Sequence, residues 1–352
     1  MTNKQDIKYM QRCLQLAQLG RGSAQPNPMV GSVVVYKDRI IGEGYHHKCG
    51  EAHAEVNAIN SVKDKSLLAH STLYVNLEPC SHIGRTPACS TRIIEEKISR
   101  VVIACIDSFD KVAGKGVEML KKAGVNVSVG VLEKESLHLN RRFFTFHRKK
   151  RPYIILKWAQ TIDGYIDYDR SIEKPNAAWI TNEISRKLVH KWRTEEPAFL
   201  VGTQTVLKDN PQLNVRAWDG ANPLRVTVDR NNVFKANTNI IDDSQKTLVF
   251  TSKKKEKEYR NTDFVIIDNN KNIEVQIFEE LYNREIQSVV IEGGKIVLDS
   301  IISMGLWDEA RVFIGDHKFE SGTKAPKFNH PLSKHITLGN SKLNIYFADN
   351  NA

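Results

Sequence analysis

Short apolar runs and segments of helical spacing take turns along most of the chain, and a layered α/β architecture is what buries both kinds of element together. Helical spacing at Met10, Leu14, Ala17 and Leu19 gives way to an apolar run from Met29 to Tyr36, a Lys37-Asp38 turn and a second strand from Arg39 to Tyr45. The pattern then predicts a helix from about Ala52 to Val62, a strand over Thr72–Leu77, a helix from about Ala88 to Lys97 and a strand over Arg100–Ile106. A helix from about Gly116 to Ala123 leads to a strand over Asn126–Val129. After Pro152 the alternation resumes, with strands over Tyr153–Trp158, Ala198–Val201, Leu224–Val228, Thr247–Phe250, Phe264–Ile267 and Ser288–Ile291, and helices over Glu183–Trp192 and Ile273–Asn283. At roughly 100–200 residues per domain, 352 residues divide into two α/β domains. We place them at 1–147 and 148–352.

Charge marks the junction. Residues 1–150 hold 23 Lys and Arg against 14 Asp and Glu, while the rest of the chain is nearly balanced, within a formal net charge of +10. Six basic residues and no acidic one fall in Arg141–Arg151, where Phe143, Phe144 and Phe146 are interleaved. Such a stretch either offers stacking and charge to nucleic acid or forms a helix end whose aromatics pack into a domain. The helix end is the plainer reading. A 41% apolar, 26% charged composition excludes a disordered chain, and no stretch approaches about 18 uninterrupted apolar residues, which argues against a membrane span. The first residues lack a signal-like apolar run, so a cytoplasmic location is expected.

Five cysteines in a chain this long cannot make a disulfide scaffold. Cys13 and Cys105 fall in core patterns and Cys49 has no partner pattern, but Cys80 and Cys89 belong to a chemical constellation with His53-Ala54-Glu55 and Pro79. One imidazole and two thiolates suit tetrahedral Zn²⁺ and leave a fourth position for water, the arrangement of a catalytic site. Bound zinc lowers the pKa of water to about 7, and a carboxylate two residues from a ligand can move its protons. Glu55 is that carboxylate. The order His-x-Glu then Pro-Cys and Cys is the zinc-deaminase order, except that eight residues separate the cysteines here instead of two.

The long spacer, Ser81-His82-Ile83-Gly84-Arg85-Thr86-Pro87-Ala88, together with Pro26-Asn27-Pro28-Met29-Val30-Gly31, Gly42-Glu43-Gly44-Tyr45-His46 and Gly50-Glu51-Ala52-His53-Ala54-Glu55-Val56, resembles the bifunctional riboflavin-biosynthesis deaminase/reductase family. The resemblance implies a cytidine-deaminase-like three-layer domain in which His53, Cys80 and Cys89 bind zinc and Glu55 shuttles protons. It also implies that Asn27, His46, His82 and Arg85 contact a pyrimidine ribosyl phosphate. Ala52 stands where the family usually has Pro, and Ile106-Asp107-Ser108-Phe109 lacks the usual Asp-Pro.

In the second half, Ser288–Ile291 runs into Glu292-Gly293-Gly294-Lys295 and the helical pattern Ile296–Met304, while Phe199-Leu200-Val201 runs into Gly202-Thr203. Glycines between a strand and a helix let backbone N–H groups approach a phosphate, although no Gly-x-Gly-x-x-Gly fingerprint is present. The resemblance continues through Leu156-Lys157-Trp158-Ala159-Gln160-Thr161-Ile162-Asp163-Gly164, Trp179-Ile180-Thr181, the run from Val201 to Arg216, and Glu292-Gly293-Gly294. It implies a dihydrofolate-reductase-like domain that uses NADPH. Ala159, Trp179, Thr205, Asp209, Arg230 and Gly294 would line the cofactor site, and Ala177, Arg193, Leu213, Arg216 and Glu292 the substrate site. Ala177 removes a hydroxyl expected to face substrate. Lys157 and Asp209 are the candidates for handling protons.

The implied activity is zinc-dependent hydrolytic deamination of 2,5-diamino-6-ribosylamino-4(3H)-pyrimidinone 5′-phosphate, followed by NADPH-dependent reduction of the ribosyl group to ribityl. The expected partners are that small molecule and further copies of the chain in a homo-oligomer, with neither nucleic acid nor membrane. The competing readings are a nucleic-acid-editing zinc deaminase with a non-catalytic accessory domain, a zinc-stabilised binding protein, and a deaminase whose second half is only structural.

Overall fold

A computed structural model describes residues 4–81, 88–107, 114–170, 178–253 and 259–348. The chain divides into two compact units, Met1–Lys150 and Arg151–Ala352. The first contains α1 (Lys4–Gln18), β1 (Gly31–Tyr36), β2 (Arg39–Tyr45), α2 (Ala54–Ser61), β3 (Thr72–Leu77), α3 (Cys89–Glu95), β4 (Arg100–Cys105), α4 (Lys115–Lys122), β5 (Asn126–Val129), α5 (Glu133–Leu139) and α6 (Arg141–Lys149). Its strands form one sheet in the order β2-β1-β3-β4-β5. The β1–β2 hairpin turns on Lys37 and Asp38, both at positive φ, the geometry of a tight two-residue turn.

Alternate residues of the sheet face opposite ways. Val34, Leu73, Val75, Val101 and Ile103 pack on Ala58 and Ile59 of α2, Ile93 of α3 and Leu120 of α4. Val33, Val35, Tyr74, Val102 and Ala104 pack on Tyr9, Met10, Cys13 and Leu16 of α1. The result is three layers, with helices on both faces of the sheet. Gly31 lets α1 lie close, since a Cβ there would overlap the Cys13 carbonyl. Phe143 and Phe144 of α6 are buried with Leu77 and Cys105 in the core of the first unit, and Phe146 is buried as well, so the aromatics of the basic stretch offer no stacking platform.

The second unit contains β6 (Tyr153–Gln160), β7 (Tyr165–Asp167), α7 (Glu183–Glu195), β8 (Ala198–Val201), α8 (Thr203–Asp209), β9 (Leu224–Val228), β10 (Thr247–Thr251), β11 (Thr262–Ile266), α9 (Ile273–Asn283), β12 (Ser288–Ile291), α10 (Lys295–Ser303), β13 (Glu309–Ile314), β14 (Thr323–Lys324), β15 (Lys334–Leu338) and β16 (Ser341–Phe347). Nine strands pair in the order β11-β10-β9-β8-β12-β6-β13-β16-β15, parallel from β11 to β13 and antiparallel through β16 and β15. One face packs on Ile277, Phe278 and Leu281 of α9 and Leu298 and Ile301 of α10. The other packs on Val189 and Trp192 of α7 and Val206 of α8.

Strand β13 escapes the apolar pattern because it places Glu309 and Arg311 in the interior, where Arg311 donates to Glu309 at 2.7 Å and to Glu196 at 3.2 Å. Paired and hydrogen-bonded charges can be buried, and they hide a strand from any reading of hydrophobic alternation. Among the described residues no helix is long and apolar enough to cross a membrane.

A partly buried ion pair ties α1 to the sheet. Arg100 donates to both oxygens of Asp6 at 3.0 and 2.8 Å, and Tyr74 donates a third hydrogen bond at 2.8 Å. Replacing Asp6 with Asn is expected to lower the unfolding free energy of the first unit by about 2 kcal/mol at neutral pH. The Arg100 hydrogen bond holds Asp6 below its ordinary 3.8, so this stability is complete above that pH and is lost as the pH falls through the lowered folded value. In urea titrations the gap between wild type and Asp6→Asn should therefore be constant from neutral pH down to about 5 and close under 3.8.

Candidate functional site

In the first unit three element ends converge. His53 immediately precedes α2, Cys80 follows β3 after Glu78 and Pro79, and Cys89 opens α3. Their ligating atoms all lie within 4.8 Å of one another. His53 Nδ1 stands 3.2 Å from Cys89 Sγ and 3.6 Å from Cys80 Sγ, and the Cys89 N–H donates to Cys80 Sγ at 3.2 Å. Tetrahedral zinc with bonds of about 2.3 Å to sulfur and about 2.0–2.1 Å to nitrogen separates its ligand atoms by about 3.6–3.8 Å. The donor set and its spacing fit that ion.

The surroundings already favour a ligand. The Cys89 thiol and His53 hold Cys80 well below the usual thiol range, while the hydrogen bond with Cys80 and burial push Cys89 up. Glu55 sits in the first turn of α2, 4% exposed, and burial raises it to about 7 against the opposing influence of His53. A carboxyl near that value can both accept and return a proton around neutrality.

His46 is buried at the end of β2 and its ring meets His53 edge-on at 5.4 Å. Its Nδ1 donates to the Ala52 carbonyl at 3.2 Å, which leaves Nε2 to accept from the Asn27 amide at 3.0 Å. Burial lowers its pKa, keeping the ring neutral. Asn27, His46, His53 and Glu55 are thus linked by contact or by sequence neighbourhood. His82 and Arg85 lie outside the described residues. Cys49 is exposed and outside the converging group, and Cys13 and Cys105 are buried in the core.

The second unit has a cavity of about 1110 Å³ at the carboxyl ends of its parallel strands. Lys157 and Ala159 reach it from β6, Arg193 from α7, Thr205 and Asp209 from α8, and Arg230 from the end of β9. Glu292 and Gly294 enter between β12 and α10, Leu213 and Arg216 follow α8, and Trp179 precedes α7. Every residue expected to line the reductase site meets here except Ala177, which lies outside the described residues.

Glycine lets the chain pass closely at the strand ends. Gly293 has φ 109°, a Cβ on Gly202 would lie 2.9 Å from Val297 Cγ2, and one on Gly294 would lie 3.0 Å from Thr205 Oγ1. These close approaches, the α10 N-terminus and the cations Arg230 and Lys295 suit a dinucleotide phosphate. Trp179 stays 55% exposed beneath the Arg186 guanidinium, 4.7 Å from its ring, leaving an aromatic surface beside the cavity.

Charge in this cleft is balanced by Glu292 on one side and by Asp167 and Asp209 on the other. Arg193 donates to Glu292 Oε2 at 3.1 Å and the Lys157 ammonium lies 3.8 Å from Oε1. Burial pushes Glu292 up, but Lys157 and Arg193 outweigh it and hold the carboxyl below its usual range. Asp209 shifts the other way, because burial raises it more than its ion pair with Arg170 lowers it.

Two participants carried no signal that singled them out. Arg170 joins Asp167 of β7 to Asp209, and Lys208 also pairs with Asp167 at 3.5 Å. His190, 6% exposed, lies one helical turn before Arg193 and accepts the Arg216 N–H at 3.4 Å. Burial and the two arginines depress it to about 4. Its three-residue spacing from Arg193 on α7 was the available clue.

Residues 3–105 match the cytidine and deoxycytidylate deaminase zinc-binding region, and residues 152–316 match the RibD C-terminal domain. The riboflavin biosynthesis protein RibD of Aquifex aeolicus is 41% identical over 319 residues, covering 89% of this chain and 88% of its own length. That of Escherichia coli is 34% identical over 327 residues, covering 88% and 87%. Among solved structures, the diaminohydroxyphosphoribosylaminopyrimidine deaminase/5-amino-6-(5-phosphoribosylamino)uracil reductase of Thermotoga maritima superposes with a TM-score of 0.88 at 36% identity, covering 97% of this chain and 98% of its own. RibD of Acinetobacter baumannii gives 0.86 at 32% identity, covering 98% and 99%. With two sites of this chemistry on one chain, and with that likeness running through both units, the chain belongs to the RibD family of riboflavin biosynthesis proteins.

Proposed function

We propose that the chain performs two consecutive steps of riboflavin formation. Residues 1–147 would deaminate 2,5-diamino-6-ribosylamino-4(3H)-pyrimidinone 5′-phosphate, and residues 148–352 would reduce the ribosyl group of the product to ribityl with NADPH. The observation that carries this reading is the convergence of His53, Cys80 and Cys89 beside buried Glu55, in a chain that also holds a strand-end cavity with Lys157 and Glu292 at its polar floor. Phe143 and Phe144 of the basic stretch are buried in a core, which weakens the stacking argument for a nucleic-acid-editing enzyme, and the long cysteine spacer and the attached reductase pattern weigh against it as well.

His53, Cys80 and Cys89 would hold zinc, which when bound acidifies a water molecule and so supplies a nucleophile at neutral pH. Glu55 would accept one proton from the attacking water and place it on the ring nitrogen, and would then carry the water's second proton to the departing amine, so that water and the aminopyrimidine become the carbonyl compound and ammonia. Its burial suits the task, because the carboxyl is neither permanently charged nor permanently neutral near pH 7. The neutral His46 and Asn27 would orient the ring, and Arg85 and His82 would contact the substrate.

In the second unit Ala159, Trp179, Thr205, Asp209, Arg230 and Gly294 would hold NADPH, which when bound supplies two electrons and one hydrogen to C1 of the ring-opened sugar imine. The imine nitrogen must also take up a proton, and Lys157 and Asp209 are the groups that could provide or position it. Arg193 and Arg216 would hold the sugar phosphate together with Leu213 and Glu292, and Ala177 would abut it. Glu292 keeps the Lys157 and Arg193 side chains aimed at one place.

Glu55→Gln should abolish ammonia release, by at least about 100-fold, while the purified protein retains its zinc; full activity in this variant would overturn the assignment. NADPH absorbance should fall only after ammonia has appeared, and the Glu55→Gln protein should still oxidise NADPH when given the deaminated intermediate. Deamination without any NADPH consumption would remove the reductase half of the reading. Arg216→Ala should raise KM for the phosphorylated intermediate about tenfold or more with little change in kcat, measured under saturating NADPH.

A further inference from the structure

Glu78 has no part in the chemistry above, although it lies two residues before the ligand Cys80. It is 4% exposed, and both of its carboxylate oxygens are spent on the main chain. Oε2 accepts from the N–H groups of Asp107 at 3.2 Å and Gly114 at 2.9 Å, and Oε1 accepts from that of Val117 at 3.1 Å. Its own N–H donates to the Cys105 carbonyl at 3.0 Å. One side chain therefore joins the end of β3, the end of β4 and the first turn of α4.

The contact is tight on the ligand side as well. Gly116 of α4 lies against the Pro79 carbonyl, where a Cβ would overlap that oxygen and approach Glu78 Oε1 to 3.2 Å. From the opposite side Ser90 of α3 fastens the same peptides, its Oγ lying 3.3 Å from the Pro79 carbonyl and 2.9 Å from that of Cys80, with its N–H donating to Cys80 at 3.1 Å. Pro79 and Cys80 are thus gripped between α4, through Glu78, and α3, through Ser90.

We propose that Glu78 is a positioning residue for the zinc set, holding the Pro79-Cys80 segment so that the Cys80 sulfur faces His53 and Cys89. The inference rests on the zinc reading of those three residues. The carboxylate is suited to it because it offers acceptors at both oxygens. A glutamine keeps one oxygen and turns an NH₂ toward a backbone donor, which repels one of the three N–H groups. The loss should be felt at the metal, since groups that orient ligands govern how firmly the ion is held.

The test uses the full-length, zinc-loaded protein and follows release of zinc to a chromophoric chelator under native conditions. Glu78→Gln is expected to release zinc at least about tenfold faster than wild type, and Gly116→Ala, which perturbs the same contact from α4, is expected to do so independently. Val102→Ala, in β4 on the sheet face that packs against α1 and not against the ligand-bearing α2 and α3, serves as a control for general destabilisation. It should release zinc at the wild-type rate even when its melting temperature is as low as that of the other two. Wild-type release from both Glu78→Gln and Gly116→Ala would overturn the proposal, and Gly116→Ala alone decides it if Glu78→Gln does not fold. A wild-type protein that binds no zinc would instead overturn the reading of His53, Cys80 and Cys89 as ligands, and this inference with it.

Discussion

The candidate metal-ligand set of the first unit depends on β3, which fixes two helix beginnings relative to one strand end. His53 and Cys89 sit at the starts of α2 and α3, and Cys80 sits just past β3, so no ligand lies in the middle of an element. Helix starts are useful for this because their side chains are placed by a rigid element while their backbone is still free to turn. The sheet supplies the rigidity, with Leu73 and Val75 of β3 packed against Ala58 and Ile59 of α2 and Ile93 of α3. Ligand spacing is in this sense a property of apolar packing, and the polar groups inherit it.

The second unit solves a different problem. Its cavity must gather Lys157, Arg170, Arg193 and Lys208 without letting them repel one another. Glu292 does this from a buried position, facing Lys157 and Arg193, and Asp167 and Asp209 do the same for Arg170 and Lys208. Such pairing restrains side chains that are otherwise costly to immobilise. His190 stays neutral beneath the arginines for the same reason, since a further positive charge there would be both buried and repelled.

Much of this was legible in the sequence where one principle governs a residue. The regular strands, the Lys37-Asp38 turn and the Gly293-Gly294 step follow from periodicity and backbone geometry, and the His-x-Glu and cysteine pattern follows from metal chemistry. What was not legible depends on residues meeting from afar. Arg311 and Glu309 in β13 read as surface charges until their pairing with each other and with Glu196 is seen. Glu78 stands next to Pro79 in the sequence, but nothing there marks it as the acceptor of three backbone N–H groups, because those donors lie 29 to 39 residues away. His190 becomes notable only once Arg216 is brought back against α7. The basic stretch was legible as a helix end, since basic residues gather in its last turn while Phe143 and Phe144 fill a core.

The strand order of the second unit also bears on how the protein is made. β6, the first strand of that unit to be synthesised, lies between β12 and β13, with Tyr153 paired to Ser288 and Ile155 to Glu309. The centre of that sheet must wait for more than a hundred further residues, whereas the first sheet is complete once Val129 has appeared. Long-range pairings of this kind are slow to form, and domains generally acquire their structure from the N-terminal end as the chain is made. During translation the deaminase unit can therefore be folded while the strands of the reductase unit are still unpaired, and those unpaired edges are where the nascent chain is most exposed to aggregation.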